Sequence, residues 1–408
     1  MGLTRRSLAL TATSSALALL VVGCGAPGEE SGGDSSSGEV PDKPSKAVSL
    51  SILDIAGNLQ LTQGMIDEFV KENSDVVSGV TYQQAPAPEM AGKIKAQQDA
   101  NRVDIDIVLT GVDGLSAGVE QDLWLDLLPK YADRLPGMAD YLEPAANMQE
   151  LAGNAGVTIT YYPSGPLLEY LPAKVSDPPT SAEELLAYAK ANPGKVQYAR
   201  PSNSGPGRTF LMGLPYILGD KDPKDPINGW DKTWAYLEEL NKYIEVYPSG
   251  TTDTMKNLAN GSVDIIASTT GWDINPRVLG TVPKEAAVTS MDGFTWVTDA
   301  HYAVVPKGVS TDKQSAILLL LASMLTKEQQ AKAFDDGYFY PGPAVEGVEL
   351  DQAPQKSQDA ISEFGRDEYE SLIADNPKAT PLDAKSLVAA FDRWDREVGG
   401  AKVQEPTS

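Results

Sequence analysis

The sequence predicts an α/β protein of two lobes, each a mostly parallel sheet flanked by helices, with a cleft between them. Three observations carry this. Strand-like and helix-like runs alternate from Ala47 onward, a second alternating series begins near residue 156, and one long strand-like run, Phe294 to Val305, follows that series. Strands that alternate with helices imply a sheet with helices on its faces. Roughly 365 residues beyond the N-terminal region exceed one ordinary core, so two lobes are expected.

The elements follow in order. Ala47 to Leu53 (AVSLSIL) alternates and then turns apolar as a strand does, and Leu61, Met65, Ile66, Phe69 and Val70 have helical spacing. Gly79 to Gln84 reads as a second strand, Met90 to Asn101 as a helix, and Asp104 to Leu109 (DIDIVL) as a buried strand. Ligands gather beyond the carboxyl ends of such strands. That places the loops Asp54 to Asn58 and Thr110 to Asp113, with the acids Asp54 and Asp113, on one rim. The second series has a strand at Gly156 to Tyr162, a helix start at Thr180 to Glu184, a strand at Lys195 to Ala199, and helices over Thr209–Leu218, Trp230–Tyr243 and Thr252–Asn260. Val263 to Ala267 (VDIIA) is then a buried strand that opens into Ser268-Thr269-Thr270-Gly271-Trp272-Asp273. After Val305 the chain reads as largely helical.

The N-terminus reads as an address. Arg5 and Arg6 precede Ser7 to Gly23, an uncharged run that fits an export signal and is short for a membrane span. Thr4-Arg5-Arg6-Ser7-Leu8 fits a twin-arginine signal or an ordinary Sec n-region. Cys24 is the only cysteine of 408 residues, and Gly, Ser, Pro, Glu and Asp dominate from there to about Asp42. Such a segment has too little apolar surface to offset the entropy of ordering. Val21-Val22-Gly23-Cys24 resembles the lipobox of bacterial lipoproteins, which implies acylation of Cys24 and a protein held at the outer face of the cell membrane. The expected organisation is a signal over 1–23, a tether over 24–45, a first lobe from 46–160 with 300–400 including the C-terminal helices, and a second lobe over 161–299.

Composition narrows the function. Removing residues 1–23 takes the formal charge from −24 to −26, which makes nucleic acid an improbable partner and gives a weak bias toward cationic ligands. With one His, one Cys consumed by lipid and no G-x-S-x-G, nucleophilic triads and His-based metal sites lack their parts. No metal and no cofactor is expected. A hydrolase using paired carboxylates on glycosides or esters, or a ligand-free surface scaffold, stays as the alternative.

Four stretches in this order carry a resemblance: "GVTITYYP" with "PPTSAEELLAYAK", "NLANGSVDIIASTTGW", "FTWVTDAHYAVVPKG" and "ILLLLASMLTKEQQAKAFDDGYFYPGP". The chain from about Ala47 to Val398 resembles the extracellular solute-binding proteins of ABC importers, of the family 1 kind, near the spermidine and putrescine binders. The resemblance implies a type II periplasmic-binding-protein-like fold, a monomer, no enzymatic activity, closure of two lobes on a small-molecule solute, and delivery to a permease with its ATPase. It also implies hinge strands at "GVTITYY" and "WVTDAHYAVV".

For the ligand, family position and the rim argument agree on Trp272 next to Asp273, with Thr270 in the same loop; an aromatic face beside a carboxylate suits a cation or a flat apolar group. The alternative is that Trp272 packs its lobe. Trp296 and Asp299 resemble the tryptophan and aspartate of the polyamine binders' return strand, with one more residue between them here, so alternation turns Asp299 away from Trp296 and Thr298. Polyamine binders carry acids before the helix at Thr209. This sequence has Ser202, Asn203, Ser204, Gly205 and Gly207 there, then Arg208. Such a loop is either a site for an anion or hydroxyl, with Arg208 as a carboxylate fork, or a plain N-cap. A polyamine-like, zwitterionic or polar uncharged solute is expected.

Overall fold

The computed structural model describes residues 38–55 and 57–404. The export signal, Cys24 and most of the tether lie outside these residues. The first series is β1 (Val48–Asp54), α1 (Leu59–Glu72), β2 (Val77–Gln84), α2 (Ala87–Asp99), β3 (Ile107–Thr110), α3 (Val112–Glu120), α4 (Glu143–Ala152) and β4 (Gly156–Gly165). The second is β5 (Leu167–Tyr170), α5 (Ala182–Ala191), β6 (Val196–Gln197), α6 (Gly205–Ile217), α7 (Asp231–Asn241), β7 (Tyr247–Pro248), α8 (Thr251–Ala259), β8 (Ile265–Ser268), α9 (Ile274–Val278) and β9 (Ala287–Thr289). The chain returns through β10 (Trp296–Val304) and continues as α10 (Thr311–Met324), α11 (Lys327–Gln330), β11 (Gly342–Pro343), α12 (Gln355–Phe364), α13 (Glu368–Asp375), β12 (Lys378–Ala379), α14 (Ala384–Glu397) and β13 (Val403–Gln404).

Two sheets organise these elements. The large one has the order β11-β4-β10-β3-β1-β2, with β12 on β10, and the small one β6-β8-β5-β9. Pairing is parallel among β2, β1 and β3, and antiparallel where β10 lies between β3 and β4. In the small sheet only β6 and β8 run parallel. The sheets are therefore mixed rather than mostly parallel, because the connecting strands enter each sheet against the direction of the βα units. Every residue of β4 and β10 is buried, as strands covered on both faces require.

The chain changes sheet between Gly165 and Leu167 and changes back between Thr289 and Trp296. The C-terminal helices touch both halves. α14 packs on α3, while its Trp394 donates Nε1–H to the Tyr198 hydroxyl at 3.0 Å and meets the Tyr247 ring edge-on at 5.0 Å. β13 pairs with β7, so the end of the chain is tied to the small-sheet half.

Local chemistry fixes the helix starts. Ser181 caps α5 by accepting from Glu184 N, and Glu184 returns the bond to Thr180 N. Ser204 caps α6 through Gly207 N at 3.1 Å, and Pro206 follows in the first turn, where a missing N–H costs nothing.

Gly213, inside α6, shows how that helix is seated. A Cβ there would lie 2.3 Å from Cγ of Pro166, at the crossing between sheets. Alanine in place of glycine ordinarily stabilises a helix interior by about 1 kcal/mol. Here a rigid ring blocks it, so Gly213→Ala lowers the thermal midpoint; a raised midpoint would show that α6 can move off the crossing at no cost.

Candidate functional site

A cavity of about 290 Å³ lies between the two sheets and is walled from both. The large-sheet half supplies Ile55 and Gly57 after β1, Gly111 and Asp113 at the start of α3, Tyr162 on β4, Asp299 and His301 on β10, and the turn Tyr338-Phe339. The small-sheet half supplies Asn203, Ser204, Gly205 and Arg208 at the start of α6, Gly250, Thr251 and Thr252 at the start of α8, and Trp272 after β8. Strand ends and helix starts meet here, as the topology of α/β sheets dictates.

Arg208 is the electrostatic centre. Its guanidinium reaches Asp113 at 3.2 Å through Nη1 and Asp299 at 2.5 Å through Nη2. The side chains of Arg208 and Asp299 are 5% and 3% exposed. Asp299 also accepts from the Tyr162 hydroxyl at 2.7 Å and from Ala300 N at 2.9 Å. Burial opposes the charge on Arg208, yet Asp299 and Asp113 outweigh it and raise its pKa. Burial, then the Asp299 charge, raises Tyr162 well above a free phenol, which keeps it a hydrogen-bond donor. One arginine thus joins α6 of one lobe to α3 and β10 of the other. The expected fork for a solute's acid is committed through Nη1 and Nη2 to two carboxylates of the protein, while Nε is buried without a partner.

Two helix starts stand side by side in the small-sheet half. Ser204 Oγ and Thr251 Oγ1 share a hydrogen bond of 2.7 Å, and Asn203 Nδ2 donates to Ser249 O at 2.9 Å. α8 has glycine at its N-cap and no side-chain cap. Among the described residues the N–H groups of Thr251 and Thr252 have no partner. First-turn donors need a partner from side chain, water or ligand.

The opposite wall is aromatic. Tyr338 and Phe339 pack with tilted rings at 4.1 Å, Trp272 meets Tyr338 edge-on at 5.6 Å, and Phe339 packs on Tyr162 at 4.5 Å. Gly271 makes this possible, since a Cβ there would lie 2.4 Å from the Phe339 ring. His301 meets Phe339 edge-on at 4.1 Å, and its Nδ1 is buried without a partner. Burial, with the Arg208 charge adding to it, pushes this imidazole down to about 3, so it is neutral at ordinary pH.

Of the expected residues, the structure brings Trp272, Asn203, Ser204, Arg208, Asp113 and Asp299 to one cavity. It places four elsewhere. Trp296 is buried against Phe294 and donates Nε1–H to Leu372 O, because strand alternation turns it to the face covered by α13. Asp54 caps α1, accepting from Asn58 N at 2.9 Å. Thr270 donates to Tyr340 O at 2.9 Å. Asp273 is fully buried and accepts from Arg277, Arg366 and Tyr369, so it anchors α13 and has no lone pair to offer a solute. Gly57 and Gly111 fall in the two expected rim loops, whereas Gly250, Thr251, Thr252 and His301 were not anticipated. The run Gly250-Thr251-Thr252 ahead of a helix carried a signal, a glycine N-cap after a strand; His301 carried none beyond alternation with Asp299.

Beside Asp273 lies Glu169 on β5, which accepts from Ser268 Oγ at 2.8 Å and has its other oxygen unpartnered. Burial, then the Asp273 charge, raises its pKa to about 8 from an ordinary 4.5. The native state therefore holds a proton that the unfolded chain has released across that interval, and this contribution to stability is lost as pH rises toward 8. Glu169→Gln, neutral throughout, should flatten the decline in urea midpoint between pH values of about 5 and about 8. Equal slopes in both proteins would remove Glu169 as its source.

Two lobes thus enclose a cavity at their helix starts. Residues 64–361 match the family described as bacterial extracellular solute-binding protein, and the chain belongs to that family. No curated protein matches it. Among solved structures, the chain is similar to an ABC transporter protein from Clostridium perfringens at 16% identity and TM-score 0.61, over 86% of this chain and 100% of that one. It is similar to AfuA of Actinobacillus pleuropneumoniae, with fructose-6-phosphate bound, at 15% identity and TM-score 0.60, over 86% and 98%. It is also similar to the spermidine/putrescine-binding PotD of Streptococcus pneumoniae at 15% identity and TM-score 0.57, over 85% and 99%. These likenesses show the shared fold. Among the described residues, no helix is long and apolar enough to cross a membrane.

Proposed function

We propose that this protein is the receptor of an ABC importer, lipid-anchored at Cys24 outside the cell membrane, which captures a small organic solute and hands it to a permease and its ATPase. Its lobes are proposed to be the large-sheet and small-sheet halves, which hinge at the chain crossings after Gly165 and before Trp296. The observation that carries this reading is the cavity itself, walled by both halves and bridged by Arg208 to Asp113 and Asp299. A solute held there touches both halves at once, so it favours the closed arrangement by its differential affinity.

A volume of about 290 Å³ suits a small metabolite, near the lower end of the usual range of about 300–1,000 Å³. Trp272, half-buried against Tyr338, offers a stacking wall. Both cavity carboxylates already serve Arg208, which favours a zwitterion or polar solute over a polyamine that needs unpaired acids.

The test is recovery of bound solute. Soluble protein from Lys43 onward, incubated with yeast extract, washed and denatured, should release a small molecule detectable by mass spectrometry and unchanged by the protein. Trp272→Ala should weaken its binding by about 2 kcal/mol or more, as loss of a buried aromatic anchor does. Release of nothing would contradict the receptor reading, and a chemically altered solute would favour a hydrolase.

A further inference from the structure

The walls of the cavity say more about the solute than its volume does. α8 presents first-turn N–H groups, at Thr251 and Thr252, that no side chain caps. α6 starts beside it, tied by the Ser204–Thr251 hydrogen bond, with Gly205 facing the same space. α6 opens with Gly205 and α8 has Gly250 at its N-cap, so two helix starts bring positive dipole ends to one point, with bare donors at α8. His301 is a second and separate sign of a missing partner. It is 2% exposed, it lines the cavity, and its ring makes no hydrogen bond among the described residues. Nδ1 is sealed from the cavity, so the ring nitrogen that a solute can meet is Nε2, which makes no hydrogen bond among the described residues.

The acids of the cavity do not supply that partner. Asp299 is already engaged by Arg208, Tyr162 and Ala300 N, and Asp113 by Arg208 and Gly114 N. An incoming ammonium would have to compete with a guanidinium already seated, whereas an incoming oxyanion meets donors that are free.

Resting on the receptor reading, we infer that the solute is a small organic oxyanion, a carboxylate, phosphate or sulfonate with or without an amine, whose acid sits at the paired starts of α6 and α8 and which also reaches His301. The α8 start reads charge and the imidazole reads a polar group further along the solute. The neutral state of His301 is consistent with this, since its contact then persists unchanged across ordinary pH.

The variant that separates this from a general cavity effect is Thr252→Asp. Thr252 is exposed at the second position of α8, where an acid favours the helix itself. The thermal midpoint of the free variant should stay at or above that of the wild type. Midpoints of both proteins are measured with inorganic phosphate, glycerol 3-phosphate, glutamate and taurine, and with spermidine and glucose as contrasts. The solute recovered from yeast extract is characterised in parallel. The inference expects an acidic group in the recovered solute, stabilisation by at least one of the four anions, and a loss of affinity of about tenfold or more in Thr252→Asp. A recovered solute with no acid, stabilisation by spermidine or glucose alone, or undiminished anion binding by Thr252→Asp overturns the oxyanion inference and leaves the receptor reading standing. No recovered solute and no shift with any of the compounds overturns both.

Discussion

The charge on Arg208 is the constraint on which the rest of this site depends. A guanidinium this deep is tolerable only with its carboxylates in place, because an isolated buried charge costs far more than any single contact returns. Its partners come from different parts of the fold, Asp113 from the start of α3 and Asp299 from β10. The electrostatic requirement therefore becomes a geometric one: α6 has to sit where both acids can reach it. Gly213 on the far side of that helix and the crossing at Pro166 fix the same position by packing.

A second buried ion cluster does comparable work at the back. Asp273 accepts from two arginines and a tyrosine, one of the arginines from the loop before α13 and the tyrosine on α13 itself. The C-terminal helices are thereby held against the small-sheet half, and Trp394 on α14 inserts into its aromatic cluster. The front cluster meets the cavity and links both lobes; the back cluster is sealed. Removing Arg208 strands two buried carboxylates, a loss of about 3–5 kcal/mol, and only this front cluster is placed to respond to a solute.

Much of the fold was legible because hydrophobic periodicity reports burial directly. The apolar runs at β1, β3 and β8 and the series of βα units follow from it, and the capping residues Ser181 and Ser204 are local chemistry that sequence states outright. Sheet direction was not legible, since the same buried strand serves a parallel or an antiparallel neighbour. In the site, loops at strand ends brought Asn203, Ser204, Arg208, Asp113 and Trp272 into view. Asp273 and Trp296 misled because an acid beside an aromatic looks alike whether it faces a cleft or a covering helix, and the covering helix, α13, starts only at Glu368, far along the chain from both. The pairing of Arg208 with two distant acids was invisible for the same reason. His301 becomes visible only when its neighbours are known to leave it unmatched.

The most direct test of the central claim is the distance between lobes in the ligand-free protein, read by single-molecule energy transfer between labels at the exposed positions Val119 and Leu279. If the Arg208 cluster ties the lobes, the unliganded wild type populates mainly the short-distance state, and Asp113→Ala shifts the population to longer distances. Identical distributions in the two proteins would contradict the account.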